Sequence, residues 1–243
     1  MNYFTYNGSR SDNMGVRIIS KNVFSAPKYD LTFQAIPGRD GDLISPNGRF
    51  PNVTITYSCF LPAKSLSELA DKATAVKAWL YKEPDRYHTL TDTYDPDFSR
   101  RAVFNNKLDI SDELNKIGTF TVSFSCHPMR FLLFGQEQHR YTTSGIAMPN
   151  PYPFASKPYI RVNGSGAGTL TVQSSGSNRV WTFSSIAGYT ECDSELMNFY
   201  KDTTPKNDTV TGTGFPTFLP GNNTISFGGG ITSVDIIPRW QTL

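Results

Sequence analysis

Two stretches of the chain, Val53-Thr54-Ile55-Thr56-Tyr57 and Phe120-Thr121-Val122-Ser123-Phe124, alternate apolar side chains with small hydroxyl side chains. Successive side chains of a β-strand point to opposite faces, so this alternation predicts strands with one buried face and one exposed face. Turn-forming pairs such as Pro37-Gly38, Asn47-Gly48 and Pro220-Gly221 punctuate the chain and favour reversals. The sequence therefore predicts a mostly β protein.

One segment follows a helical period instead. Its apolar residues recur every three or four positions, at Leu66, Leu69, Ala70, Ala73, Val76 and Leu80. Ser65 and Glu68 have the spacing of a capping box, and Pro84 prevents continuation. We predict a helix from about Ser65 to Lys82 that packs on a β-sheet or split barrel, which makes the first part of the chain α+β. The predicted contact face is centred on Leu69, Ala73, Val76 and Leu80.

The second part of the chain has a different composition. Proline, serine, threonine and glycine become frequent from Gln136 to Lys157, which is typical of an extended connector. Glycine-rich stretches at 163–168 and 228–230 are interpreted as hairpin turns. Strand-like runs occur at Tyr159–Val162, Thr169–Gln173, Arg179–Phe183, Asn223–Phe227 and Thr232–Pro238. We expect two domains, residues 1–138 and residues 139–243, the second an all-β sandwich.

Charge and targeting features narrow the class of protein. The 23 basic residues nearly balance the 21 acidic residues and form no run, so the sequence does not indicate nucleic-acid binding. No basic stretch followed by an apolar one opens the chain, and no apolar cluster approaches the ~20 residues that span a bilayer. We therefore expect a soluble protein made in the cytoplasm. Three widely spaced cysteines, Cys59, Cys126 and Cys192, are predicted to be reduced packing residues.

A search for catalytic chemistry finds no nucleophile with a base. The three histidines, His88, His127 and His139, lie outside any nucleophile motif. Cys126 and His127 are adjacent, but structural zinc sites need a second paired cluster, which the sequence lacks. We expect no enzyme activity, no metal and no cofactor.

Two binding alternatives stay open at this point. Asp193 and Glu195 alternate along the chain and would share one face of a strand, as in a cation or sugar site, and glycoside hydrolysis needs only two carboxylates. A turn in which these carboxylates accept backbone hydrogen bonds is the favoured interpretation. Trp181 could stack on a sugar, but its alternating context favours a core position.

Several motifs together resemble a known family. The chain opens with Phe4-x-Tyr6-Asn7-Gly8 and Ser11–Val16 (Ser-Asp-Asn-Met-Gly-Val), and continues with Ile36-Pro37-Gly38-Arg39-Asp40-Gly41. These motifs resemble the N-terminal domain of the distal tail proteins (Dit) of long, flexible-tailed bacteriophages, especially those that infect Gram-positive hosts. The segments Asp193–Glu195, Phe215–Ile225 and Ile237–Leu243 are similar to the C-terminal half of the same family.

The resemblance implies a structural tail-tip or baseplate hub. Family members form a homo-hexameric ring through the N-terminal domain, around a channel through which DNA passes without specific binding. The implied partners are the tail tube protein, a tail-associated lysin or tail fibre hub protein, and a receptor-binding protein. The implied location is the distal end of the virion tail, and the implied second domain is a galectin-like β-sandwich. The run Ile36, Pro37, Gly38, Arg39, Asp40 and Gly41 is our candidate for an assembly contact.

Other functions are weighed against the hub. The runner-up is a carbohydrate-binding module of a phage or cell-wall-associated protein, and a cell-wall hydrolase is the third candidate. The sequence lacks the His-x-Asn-x-Arg run with which galectins hold sugars, so a galectin-like fold does not by itself imply lectin activity.

Overall fold

The computed structural model describes residues 2–243 and is mostly β, as the sequence predicts. The first ten strands are β1 (Phe4–Tyr6), β2 (Ser9–Arg10), β3 (Arg17–Asn22), β4 (Leu31–Gln34), β5 (Leu43–Pro46), β6 (Val53–Pro62), β7 (His88–Asp92), β8 (Phe98–Val103), β9 (Ser111–Glu113) and β10 (Ile117–Leu132). The later strands are β11 (His139–Tyr141), β12 (Ile146–Ala147), β13 (Tyr159–Ser174), β14 (Ser177–Asp193), β15 (Asn198–Lys201), β16 (Thr204–Pro205), β17 (Val210–Gly212), β18 (Asn223–Ile237) and β19 (Gln241–Thr242). The helices are α1 (Leu66–Leu80) and two 3-10 turns, Phe134–Gln136 and Asn207–Thr209.

The chain divides into two compact units. The first unit comprises the residues up to Arg130 together with Leu243, and the second unit is Phe131–Thr242. The sequence placed the boundary after residue 138, eight residues later. The earlier division has a local reason, because the Leu132 N–H donates to the Trp240 carbonyl (3.0 Å) and the Gly135 carbonyl accepts from the Arg239 N–H (2.7 Å), all within the second unit.

The first unit is an antiparallel sheet with the order β2-β1-β7-β8-β10-β6-β3, and β9 pairs with β10. The two stretches that predict the fold pair directly, with Val122 opposite Tyr57 and Phe124 opposite Ile55. These four side chains are buried, whereas the hydroxyl residues between them face the other side. The predicted alternation therefore sets both the register and the buried face of this sheet.

The predicted helix is present and packs on this sheet. The Ser65 Oγ accepts from the Glu68 N–H (3.3 Å) at its N-terminus, and the helix ends at Leu80, two residues before the predicted end. Leu69, Val76 and Leu80 join the core of the first unit, and so does Trp79, which the sequence did not place there. The other three apolar positions of the helical period are not buried, since Leu66 and Ala70 are exposed and Ala73 is half-buried. No helix in residues 2–243 is both long and apolar enough to cross a membrane.

Trp79 explains how the helix is fixed in place. Its indole stacks on Phe4 at 5.7 Å between ring centroids, and its Nε1 donates to the Tyr6 carbonyl (3.0 Å). Phe4 also stacks on Tyr57 of strand β6. The helix is therefore joined to both β1 and β6 through buried aromatic contacts.

The second unit is built from three long strands. The sheet order is β11-β18-β13-β14-β15-β16, with β12 also paired to β18 and β17 to β14. The runs Tyr159–Val162 and Thr169–Gln173, predicted as separate strands, are two halves of β13, and β18 likewise contains two predicted runs. Buried residues from both halves, such as Ile160 and Val172, belong to one core.

The glycine-rich stretches lie inside these long strands, so their interpretation as hairpin turns is wrong. The register between β13 and β18 shifts between Asn163 and Gly168. A Cβ on Gly164 would lie 2.0 Å from the Gly230 carbonyl oxygen, and one on Gly230 would lie 2.0 Å from the Ser165 carbonyl oxygen. The glycines therefore permit a close backbone approach at bulges that bend the strands.

The proline-rich segment is also not a connector. Asn150 and Ser156 are buried, and each forms a bridge to the segment before β18, Asn150 with Gly221 and Ser156 with Phe218. The Ser156 hydroxyl donates to the Pro238 carbonyl (2.8 Å). The prolines thus shape an integral part of the second unit, and the prediction of an extended spacer is wrong.

We expect the helix face to carry a measurable part of the stability. Leu69→Ala and Leu80→Ala each remove a buried side chain and leave a cavity, so each should lower the free energy of unfolding by about 2 to 5 kcal/mol. Leu66→Ala is the matched control, since Leu66 is 55% exposed. Denaturant unfolding checks this, and an equal effect of all three variants would contradict the burial of the face.

The glycine contact gives a sharper contrast. Gly164→Ala and Gly230→Ala place a methyl group against a backbone oxygen, so both should unfold the second unit or strongly lower its melting temperature. Gly228→Ala is the control, because a Cβ there meets nothing nearer than the Thr169 hydroxyl at 3.9 Å. Calorimetry should show a near-normal second unit in that variant, and three equally stable variants would refute the close approach.

Candidate functional site

The candidate assembly run lies at the tip of an isolated hairpin. In the part of the chain that the structure describes, strands β4 and β5 pair only with each other and form a separate two-stranded sheet. Phe33 stands opposite Ile44, and Leu31 opposite Pro46. Directly opposed residues share a face and the face repeats every second residue, so these four apolar side chains lie on one face of the hairpin.

That apolar face is open to solvent. Phe33 is 52% exposed and Ile44 is 56% exposed, and Leu43, on the opposite face of the hairpin, is 42% exposed. A lone two-stranded hairpin is at best marginally stable in water, and an exposed apolar face of this kind is typical of a protein contact. We call the segment 31–46 the hairpin arm.

A polar cluster fixes the base of the hairpin arm. The Asn47 side-chain amide donates to Asp30 Oδ1 (3.0 Å) and to the Thr32 hydroxyl (3.2 Å), and Arg49 Nε donates to Asp30 Oδ2 (2.7 Å). Hydrogen bonds from Asn47 and from Arg49 hold the pKa of the Asp30 carboxyl below its usual range. Tyr29 packs edge-on against Phe50 at 4.8 Å, so the two ends of the arm are joined.

The predicted run Ile36–Gly41 forms the exposed tip. Gly38 and Gly41 have φ of +79° and +78°, and the Arg39 N–H donates to the Ile36 carbonyl (3.2 Å) to form a turn. Within residues 2–243 the side chains of Arg39 and Asp40 form no hydrogen bond or ion pair. Both charges are therefore available to a partner.

Asp193 and Glu195 lie beside a half-buried arginine, Arg239, and not around a candidate metal site. Arg239 donates to both oxygens of Asp193 (2.8 and 2.9 Å) and approaches Glu195 to 3.5 Å. Asp193 Oδ1 also accepts from the backbone N–H groups of Glu195 and Leu196. Burial opposes ionisation, but the bonds from Arg239 and from these N–H groups outweigh it and lower the pKa of Asp193. The favoured interpretation, a turn held by backbone hydrogen bonds, is confirmed, and Arg239 is the partner that the sequence did not reveal.

The other candidate residues serve packing. Trp181 is buried and its Nε1 donates to the Gly214 carbonyl (2.8 Å), so it presents no face to a sugar. Burial raises the pKa of Cys59, Cys126 and Cys192 to about 12, which keeps each thiol protonated and unreactive at neutral pH. The prediction that the cysteines are reduced packing residues is confirmed.

Each of the three histidines makes contacts of its own. His88 bonds the Glu83 carbonyl through Nε2 (2.9 Å), His127 Nδ1 contacts the Met129 backbone, and His139 lies against Phe134. Among residues 2–243 no group of three or more histidine, cysteine, aspartate or glutamate side chains is placed to hold a metal ion.

The exposed residues of the hairpin arm were missed by the sequence analysis. Leu31-Thr32-Phe33-Gln34 does alternate, but alternation alone indicates a strand with a buried face. Whether that face is covered within the chain depends on tertiary contacts that the local pattern does not contain.

Comparison with known proteins gives a family model that matches the first unit and solved structures that match the whole chain. Residues 8–126 match the family model described as a phage tail protein RIFT-related domain. The whole chain has the fold of the Dit protein of phage SPP1, described as a paradigm of the hub adsorption apparatus in phages that infect Gram-positive bacteria: the TM-score is 0.78, the identity is 12%, and 100% of each chain is covered. A chain of the phage P2 baseplate, in its activated conformation with calcium, matches with a TM-score of 0.51, 8% identity and 97% of each chain covered. No curated protein is similar enough in sequence to count as a relative. The resemblance to distal tail proteins is confirmed at the level of this domain and this fold.

The pairing of Asp193 with Arg239 predicts a pH-dependent stability. Asp193→Asn removes the carboxylate that accepts two hydrogen bonds from the half-buried Arg239, so it should lower the free energy of unfolding by about 3 kcal/mol at neutral pH. Because the pKa of Asp193 is lowered by folding, its contribution is present above its unfolded value of about 4 and is lost as pH falls through the folded value. The gap between wild type and variant should therefore shrink below about pH 4.

Asp109→Asn is the control for this measurement. Asp109 pairs with Lys107 on the surface, where the side chains are 69% and 83% exposed, so this variant should change stability little at any pH. Denaturant unfolding across the acid range compares the variants. A gap for Asp193→Asn that stays constant down to strongly acid pH would contradict the assignment.

Proposed function

We propose that this chain, whose first unit is a phage tail protein RIFT-related domain, is a non-enzymatic structural hub at the distal end of a bacteriophage tail. In this proposal copies of the chain close into a homo-hexameric ring through the first unit. The ring joins the tail tube to the tail-tip and receptor-binding apparatus. The observation that carries the proposal is the hairpin arm, with its exposed apolar face in a protein whose overall fold is that of a phage hub.

The proposal assigns to the hairpin arm a contact between copies that is not two-fold symmetric. The arm presents an apolar face and three charged side chains, Arg39, Asp40 and Asp42, that form no hydrogen bond or ion pair within residues 2–243, and a different patch on a neighbouring copy would cover them. A contact between two different patches repeats head to tail and closes into a ring when the rotation fits. This is the kind of interface that a tail hub requires.

Unpaired strand edges offer a second element of the same contact. Strand β3 ends the sheet order of the first unit, and Ile19 on it is 62% exposed. Each strand of the hairpin arm also has one edge without a partner strand. Exposed edges of this kind are covered in native proteins by bulges, charges or another chain. A neighbouring copy would cover them here.

The remaining chain supports a scaffold role. The three cysteine thiols are buried and protonated, and each histidine makes contacts of its own. The ion pair between Asp193 and Arg239 holds a turn. In the proposal the further partners are the tail tube protein, a tail-associated lysin or tail fibre hub protein, and a receptor-binding protein held by the second unit. DNA passes through the ring without specific binding, and the protein is made in the host cytoplasm.

Substitution of the hairpin arm tests the proposal. Phe33→Asp and Ile44→Asp place a charge on the apolar face, so each should abolish rings and leave subunits in sedimentation and negative-stain microscopy. The side chains are exposed, so the free energy of unfolding should stay within about 0.5 kcal/mol of the wild type.

Val180→Asp supplies the matched control. Val180 is 44% exposed on β14 of the second unit, outside the hairpin arm, and its substitution should leave rings intact. Rings that persist in both hairpin variants, or a wild-type chain that stays monomeric at every concentration and with tail tube protein present, would contradict the proposal.

A further inference from the structure

Asn47 and Gly48, which directly follow the hairpin arm, form a dipeptide prone to chemical change. Three Asn-Gly pairs occur in the chain, at Asn7-Gly8, Asn47-Gly48 and Asn163-Gly164. A glycine after asparagine leaves its backbone nitrogen unshielded by a side chain, and that nitrogen can attack the asparagine side chain. The three pairs have the same chemistry, so their surroundings decide which one reacts.

Two of the pairs are protected. Asn163 and Gly164 lie within β13, which pairs with β14 on one side and with β18 on the other. The side-chain nitrogen of Asn7 is shielded from solvent. The strand pairing in the first case and the covering of the side chain in the second must be disrupted before a ring can form.

Asn47-Gly48 is the open pair. Both residues are exposed, Gly48 has a φ of +70°, and nothing lies within 4 Å of the position of a Cβ on it. The Gly48 N–H donates to no residue in the range 2–243. Both hydrogen bonds of the Asn47 side chain use its nitrogen, which is the atom that leaves, and the side-chain carbonyl is unengaged by described residues.

We propose that Asn47 is a site of spontaneous deamidation in the free subunit, and that the change disables the hairpin arm. Hydroxide removes the proton from the Gly48 nitrogen, which attacks Asn47 Cγ and forms a cyclic imide. The Cγ–Nδ2 bond breaks and, with a proton from water, the nitrogen leaves as ammonia, which regenerates hydroxide. Water then opens the imide at one of its two carbonyls and gives aspartate or isoaspartate.

The product conflicts with the polar cluster at the base of the hairpin arm. A carboxylate would stand where an amide now donates to Asp30 at 3.0 Å, so two like charges would meet and the hydrogen bond to Thr32 would be lost. Within residues 2–243 Arg49 is the one cation bonded to Asp30, and it cannot replace both lost donations. Isoaspartate would also lengthen the backbone by one methylene beside the Asn47 N–H that donates to the Asp30 carbonyl. The arm would lose its fixed base.

Peptide mapping of the full chain by mass spectrometry tests the chemistry. The purified protein is held in warm, mildly alkaline buffer and sampled over time. The peptide with Asn47 should gain the mass difference between a hydroxyl and an amino group well before the peptides with Asn7 and Asn163, and isoaspartate should be detected in it. Asn47→Gln keeps an amide but disfavours the ring, and should abolish the mass shift. Equal conversion at the three asparagines, or none at Asn47, would overturn the inference.

The consequence for assembly rests on the proposed function and has its own measurement. Asn47→Asp should lower the fraction of chain in rings, whereas Asn47→Gln should retain most of it. If Asn47 deamidates but Asn47→Asp assembles normally, the chemical site stands and its role in assembly is refuted. If Asn47 is inert while the hairpin variants still lose rings, this inference alone is refuted.

Discussion

A β-strand can bury only every second side chain, and the first unit is organised around that constraint. Along β6 and β10 the apolar residues face the core and the hydroxyl residues face outward. The pairing of Val122 with Tyr57 therefore buries the apolar side chains of both strands on the same face. A shift of one residue would place the whole buried set in water. Phe4 and Trp79 then pack on the surface that this register creates, and they fix the first strand and the helix.

Local patterns predicted the elements better than the connections between them. Alternation at 53–57 and 120–124 and the helical period near Val76 each reflect a face covered by the same chain, so these predictions hold. Gly164 was predicted to lie in a turn. A side chain is excluded there because the Gly230 carbonyl oxygen lies too close, and Gly230 is far away in sequence. The prolines near Asn150 resembled a linker because composition does not reveal a bridge to Gly221. Arg239 lies in the terminal motif Ile237–Leu243, but a lone arginine just after a strand has no local pattern that identifies Asp193 as its partner.

The candidate site differs from an active site in a physical way. Catalytic groups are held in perturbed protonation states beside an open cleft. Here the thiols are protonated within the core, and Asp193 is paired with Arg239. On the hairpin arm, by contrast, Phe33 and Ile44 are more than half exposed, and a protein surface that covered them would remove them from water. The buried thiols and the Asp193–Arg239 pair therefore serve the fold, whereas the exposed face of the hairpin arm is the surface that the proposed assembly would cover.

The long pairing of β13 with β18 also constrains how the second unit folds. Strands β13 and β14 are consecutive, so they can pair progressively from the turn at Ser174–Ser177. Tyr159 of β13 can pair with Ile237 of β18 only after the intervening chain has been synthesised. Contacts between residues so far apart form slowly, because a large loop has to close first. During synthesis the hairpin of β13 and β14 therefore leaves the ribosome with the outer edge of β13 unpaired, and β18 pairs with that edge only afterwards. The bulge at Gly164 bends that bare edge, which makes it a poor template for strands of other nascent chains.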